Sequence, residues 1–182
     1  MSLNLETERL TLQPFKKEDA IRIRDLANDK ELASILGLPH PYELKYAEDW
    51  IAIQSDQIEE GVEFPLTITF KELNELIGTI TIRIDKSNNK GELGYWIGKD
   101  YWGKGFATEA VKRIIDFGFS QLNLNKIWAS ALARNIASKI VLEKAGLQKE
   151  GTLRQNRLLQ NEYEDVDIYG LLKIEYKQLL FN

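Results

Sequence analysis

Glu92-Leu-Gly-Tyr-Trp-Ile-Gly-Lys-Asp-Tyr-Trp-Gly-Lys-Gly-Phe-Ala-Thr-Glu-Ala110 reads as a strand, then a glycine-punctuated turn, then the opening of an amphipathic helix. Gly103 and Gly105 lack a Cβ and tolerate positive φ, so the turn can bring bare main chain close to a ligand. The first N–H groups of the following helix have no partner in a preceding turn, and the helix dipole adds about half a positive charge there. Such a bend suits a phosphate or diphosphate. A phosphate-bearing ligand is therefore the starting point for any reading of function.

Outward from this stretch the patterning alternates between strands and helices. Arg9-Leu-Thr-Leu-Gln13 alternates as a first strand, and Lys17-Glu-Asp19 opens a helix with Ile21, Ile23 and Leu26 turned mostly inward. A second helix is expected over 44–60, closed by Gly61, with the loop Gly37-Leu-Pro-His-Pro41 before it. The β-branched runs 64–70 and 76–84 form an antiparallel hairpin, and Ser87-Asn-Asn-Lys-Gly91 turns the chain into the strand before the glycine bend. A helix over 108–122 then leads to a strand over 126–132, a crossover whose two strands run parallel. A helix over 136–144 follows, capped by Asn135 and stopped by Gly146, and the chain closes on strands over 147–159 and 163–172. The expected fold is mixed α/β: an antiparallel front half, one parallel junction and a C-terminal hairpin.

Composition narrows the chemistry. The 182 residues, 43% of them hydrophobic and 29% charged, fit one globular domain over 1–182 with a proper core. No apolar run is long enough to span a bilayer, and Met1-Ser-Leu-Asn-Leu-Glu6 lacks the blocks of a secretion signal, so a cytoplasmic protein without membrane association is expected. The absence of cysteine excludes disulfides, thiolate-bound metals and a cysteine-linked acyl intermediate. With one histidine, His40, between Pro39 and Pro41, no zinc or non-haem iron site is expected either. A net charge of −4 argues against a general nucleic-acid surface.

Two familiar phosphate loops fail on spacing. Gly103-Lys-Gly-Phe-Ala-Thr108 has threonine where a dinucleotide fingerprint needs a third glycine or alanine, and its lead-in is antiparallel. Gly94-Tyr-Trp-Ile-Gly-Lys-Asp100 is one residue short of a Walker loop and lacks the magnesium-binding hydroxyl. The stretch Trp102-Gly-Lys-Gly-Phe-Ala107 instead resembles the acyl-CoA loop of the GNAT superfamily of N-acetyltransferases, with tryptophan in place of its first Gln or Arg. Trp-Gly-Lys-Gly-Phe-Ala-Thr-Glu-Ala is similar in particular to the RimJ/RimL-type branch. So are Thr7-Glu-Arg-Leu-Thr-Leu12, Asn135-Ile-Ala-Ser138, Glu143-Lys-Ala-Gly-Leu147, Gly151-Thr-Leu-Arg154 and Tyr163-Glu-Asp-Val-Asp-Ile-Tyr169, in the same order along nearly the whole chain.

That resemblance implies a sheet splayed at its parallel junction, acetyl-CoA as cosubstrate and a primary amine as acceptor. The diphosphate would take the N–H groups of Gly103, Lys104, Gly105, Phe106 and Ala107, with the Thr108 hydroxyl and the Lys104 charge. Pantetheine would complete the sheet against Tyr95, Trp96 and Ile97, where an N–H polarises the thioester carbonyl. Ser138 is the candidate acid toward the CoA sulfur, and Asn135 is a helix cap beside pantetheine. Glu92 is the candidate base, acting through water; its alternative is a solvated strand residue. Arg157, Tyr42 and Tyr46 are candidates for the acceptor wall, whereas Lys139 and Lys144 read as a solvated helix face, with contact to the CoA 3′-phosphate as the alternative. The resemblance favours a protein or peptide N-terminus as acceptor. Polyamines and aminoglycosides stay open, as do an acyl-CoA sensor without turnover and a homodimer.

Overall fold

The structure, a computed structural model, describes residues 3–180. Met1 and Ser2, read above for a secretion signal, lie outside them. Short β1 (Leu5–Glu6) and β2 (Leu10–Gln13) are followed by four helices: α1 (Asp19–Ala27), α2 (Lys30–Leu36), α3 (Leu44–Ala52) and α4 (Gln54–Glu59). Then come β3 (Glu63–Phe70), β4 (Glu75–Asp85), β5 (Lys90–Ile97), α5 (Phe106–Ser120), β6 (Lys126–Leu132) and α6 (Ile136–Lys144). The C-terminal hairpin β7 (Gln148–Leu159) and β8 (Glu162–Leu172) leads into α7 (Lys173–Leu180). The strands make one sheet in the order β1-β2-β3-β4-β5-β6-β8-β7, mixed because β5 and β6 run parallel while the other neighbours are antiparallel.

Alternation along the strands divides the core between the two faces of the sheet. Leu66, Ile68, Ile80, Ile82, Leu93 and Ile127 meet α5, whose Ala110, Val111, Ile114, Ile115 and Phe117 are buried against them. A separate cluster holds Ile23, Leu26, Ala47 and Ile51 of α1 and α3 together with Leu76 and, partly buried, Trp96. Among the described residues no helix is long and apolar enough to cross a membrane.

Several details depart from the expectation. The helix expected over 44–60 is two helices, because the Gln54 side-chain amide takes the Trp50 carbonyl and the chain bends at Ile53. Ile21, expected inward, is 56% exposed. Two short helices escaped the pattern. α2 is capped by Asp29, which accepts from Leu32 N at 2.9 Å, and closed by Gly37 at φ 72°. α7 starts where Glu175 accepts from Leu172 N at 2.8 Å. α5 begins at Phe106, two residues earlier than expected, since Gly105 in the left-handed region turns the chain straight into the helix. Trp50 and Trp128 are half-buried.

Ile114 is fully buried at the centre of the α5–sheet contact. Ile114→Ala is expected to lower unfolding free energy by about 2–5 kcal/mol, measured in urea.

Candidate active site

β4 pairs with β5 up to Gly78↔Ile97, and β8 pairs with β6 along its whole length, Lys126↔Leu172 through Leu132↔Val166. Between those two halves the parallel ladder stops at Leu93↔Ala129. From Gly94 onward β5 has no strand on its β6 side. A cleft of about 650 Å³ occupies the divergence.

The glycine bend forms one end of this cleft. Gly98 N bonds Ile77 O, a single 3₁₀ turn follows over Lys99–Tyr101, and the Trp102 indole N–H donates to Ile97 O at 2.6 Å. The indole thus ties the bend to the strand end. Gly103 and Gly105 have φ of 73° and 81°, and a Cβ built on Gly103 meets nothing within 4 Å. Among the described residues, the N–H groups from Gly103 to Thr108 find no main-chain or side-chain acceptor; the first N–H to do so is Glu109 N, bonded to Gly105 O at 3.1 Å. Six consecutive residues therefore offer donors with no internal acceptor, at the positive end of a fifteen-residue helix.

α6 begins on the opposite wall. Asn135 accepts from Ser138 N at 3.1 Å, capping the helix and fixing the Ser138 backbone. The Ser138 hydroxyl lies 2.8 Å from the Tyr95 hydroxyl, where either group can donate, and Tyr95 is 3.3 Å from Ser138 O. This contact spans the gap from β5 to α6. Burial pushes the Tyr95 phenol up to about 12, against the pull of the hydrogen bond to Ser138. The phenol is therefore a neutral proton holder at neutral pH.

The cleft brings together Tyr95, Trp96, Ile97, Trp102, Gly103, Gly105, Phe106, Ala107, Thr108, Asn135 and Ser138. Two expected residues do not line it. The Lys104 ammonium folds back onto Asp100 O at 2.9 Å and lies over the Tyr101 ring, so only its main chain faces the bend. Glu92 falls on the sheet face opposite Leu93, 3.5 Å from Arg83, one residue before the parallel ladder ends.

The suggested acceptor wall also changes. Tyr42 is buried in the helical cluster, Tyr46 packs edge-on against it, and Arg157 donates to Leu36 O at 3.2 Å. In their place α2 contributes Glu31, Leu32, Ile35 and Leu36, none of which sequence patterning singled out. The Asp29 and Gly37 that bracket α2 were the signal available. Lys139 is no solvated residue: it donates to Ala133 O at 2.9 Å and pairs with buried Asp167 at 3.4 Å. Lys144, by contrast, reaches the cleft.

Residues 9–148 match the acetyltransferase (GNAT) domain family. The chain belongs to the GNAT acetyltransferases. This GNAT protein is 39% identical to an uncharacterized N-acetyltransferase of Bacillus licheniformis, covering 94% of this chain and 97% of that one. A ribosomal-protein-serine acetyltransferase of Escherichia coli is 33% identical over 102 residues, 56% of each chain. A spermidine N-acetyltransferase from Vibrio cholerae, solved with CoA and spermine, superposes at a TM-score of 0.81 with 25% identity, covering 94% of this chain and 99% of that one.

Gly103→Asp would place a carboxylate over the open amides while disturbing no packed neighbour. CoA binding, followed by calorimetry, is expected to vanish while the circular dichroism spectrum keeps its shape; retained affinity would refute the bend as a diphosphate site.

Proposed function

We propose that this GNAT N-acetyltransferase moves acetyl from acetyl-CoA to the α-amine of a protein or peptide N-terminus, as in the RimJ/RimL-type branch. The observation that carries the cosubstrate reading is the row of partnerless N–H groups from Gly103 to Thr108 at the start of α5. Acetyl-CoA supplies the acyl group as a thioester, activated toward amines. The amides of Gly103 to Ala107 and the Thr108 hydroxyl bind its diphosphate. The open edge of β5 at Tyr95, Trp96 and Ile97 takes the pantetheine amides, and a main-chain N–H there polarises the carbonyl.

Transfer forms a C–N bond and breaks C–S, so the nitrogen loses a proton and the sulfur gains one. Ser138 gives its proton to the departing sulfur and is reprotonated by Tyr95, 2.8 Å away, while the proton lost by the nitrogen passes to solvent water, which restores Tyr95. Among the described residues the cleft wall carries one carboxylate, Glu31, and no histidine, so the proposed acceptor is one that arrives neutral at small cost. An α-amine of pKa about 7.8 costs ~1 kcal/mol to deprotonate at pH 7, whereas a lysine amine near 10.4 costs ~4.6 kcal/mol. The ribosomal-protein-serine relative supports the same choice. Spermine in the Vibrio cholerae structure supports a polyamine as the second reading, and Glu31 on the cleft wall is the acidic group that favours it here.

Thiol release from acetyl-CoA, measured over N-terminal peptides, polyamines and aminoglycosides, decides between them. Turnover is expected on peptides and should rise with pH before levelling near the α-amine value of about 7.8. CoA binding without turnover on any amine would make the protein an acyl-CoA sensor. Ser138→Ala is expected to lower kcat by about a hundredfold with little change in CoA affinity, as loss of a positioned acid does; an unchanged kcat would reduce Ser138 to a helix residue.

A further inference from the structure

Arg9 does not line the cleft, yet it touches the diphosphate bend at two points. Its Nη1 donates to Lys104 O at 3.0 Å, and its guanidinium lies 4.6 Å from the centre of the Phe106 ring. Its Nη2 sits 3.4 Å from where a Cβ on Gly105 would be. The same guanidinium grips Glu109 through Nε and Nη2, both 2.7 Å from Oε2, while Arg9 N and the Thr7 hydroxyl donate to Oε1 at 2.8 and 2.6 Å. Both Glu109 oxygens are thus occupied by the Thr7-Glu8-Arg9 segment just before β2.

This arrangement has two physical consequences. A carbonyl that accepts a hydrogen bond from behind the bend leaves the peptide planes oriented with their N–H groups on the other side, and Lys104 O is held in that way. Glu109 sits in the first turn of α5, where a carboxylate favours the helix but opposes a second anion at the same terminus. Arg9 cancels that charge where the anion must bind.

We propose that Arg9 is the positioning residue of the diphosphate bend: it fixes the bend through Lys104 and Phe106 and neutralises Glu109, so that the start of α5 accepts an anionic ligand. The proposal rests on the reading of this bend as the acetyl-CoA site. It also gives a role to the Thr7-Glu-Arg motif, which the cleft itself leaves unexplained.

The test compares CoA with S-acetylpantetheine, which keeps the thioester arm and lacks the diphosphate. The two affinities are measured by calorimetry and NMR titration. Arg9→Met keeps an apolar stem over Phe106 and removes the charge; it is expected to weaken CoA about tenfold, the size of one uncompensated charge near the site, and to leave S-acetylpantetheine unchanged. Adding Glu109→Gln to Arg9→Met should recover about threefold of that loss, since the exposed carboxylate is gone. Arg9→Lys, which can meet Glu109 but not fork to Lys104 as well, should fall between wild type and Arg9→Met, and it serves if the methionine variant does not fold.

Equal losses on both ligands would make Arg9 a general support of the fold, and unchanged CoA affinity would remove it from the site; either overturns the proposal. Absence of recovery in the double variant overturns the charge argument. Gly103→Asp separates this from the underlying reading. If it abolishes CoA binding while Arg9→Met does not weaken it, the bend remains the site and Arg9 is dismissed. If Gly103→Asp binds CoA normally, the bend itself is misread.

Discussion

The parallel ladder between β5 and β6 ends after four residue pairs, at Leu93 and Ala129, and the cleft exists because it ends there. Each strand is committed elsewhere: β5 to β4 as far as Ile97, β6 to β8 as far as Leu132. Two half-sheets, each held by its own antiparallel ladder, twist and separate once nothing bonds them to one another. The main-chain groups that β5 keeps on its open side are hydrogen-bonding groups without a strand, an edge open to an extended ligand that carries amides.

The charge distribution follows from the same split. α5 starts at the end of β5 and α6 starts at the end of β6, so both helix N-termini fall at the divergence. Their partial positive charges converge on one cleft in a protein whose net charge is −4. An overall acidic chain thereby offers an anion a local positive site. The Asn135 cap spends its side-chain oxygen on Ser138 N, leaving the serine hydroxyl free to meet Tyr95 across the gap.

Much of this was legible along the chain. Gly103 and Gly105 announced a bend in the left-handed region, and both adopt it. The crossover from β5 through α5 to β6 was readable from the switch between strand and helix periodicity, because α5 presents a wide apolar face. Helices α2 and α7 were harder: each has at most eight residues, and α7 leaves Ile174 and Leu179 exposed, so periodicity had little to register. The break at Ile53 depends on where a single glutamine side chain folds, which no spacing rule encodes.

What the sequence determined by itself was local: the strand order of hydrophobic runs, the glycine bend, the Asn135 cap and the lack of any thiol. These depend on residues within a few positions of one another, where backbone sterics and periodicity decide the outcome. Only the tertiary structure decided that Lys104 turns away from the bend, that Glu92 faces Arg83, that α2 walls the cleft and that Arg9 reaches a helix one hundred residues away. Side-chain direction at those positions depends on which distant donor or acceptor happens to lie within about 3 Å, and that distance is set by the packing of the sheet rather than by the order of residues along the chain.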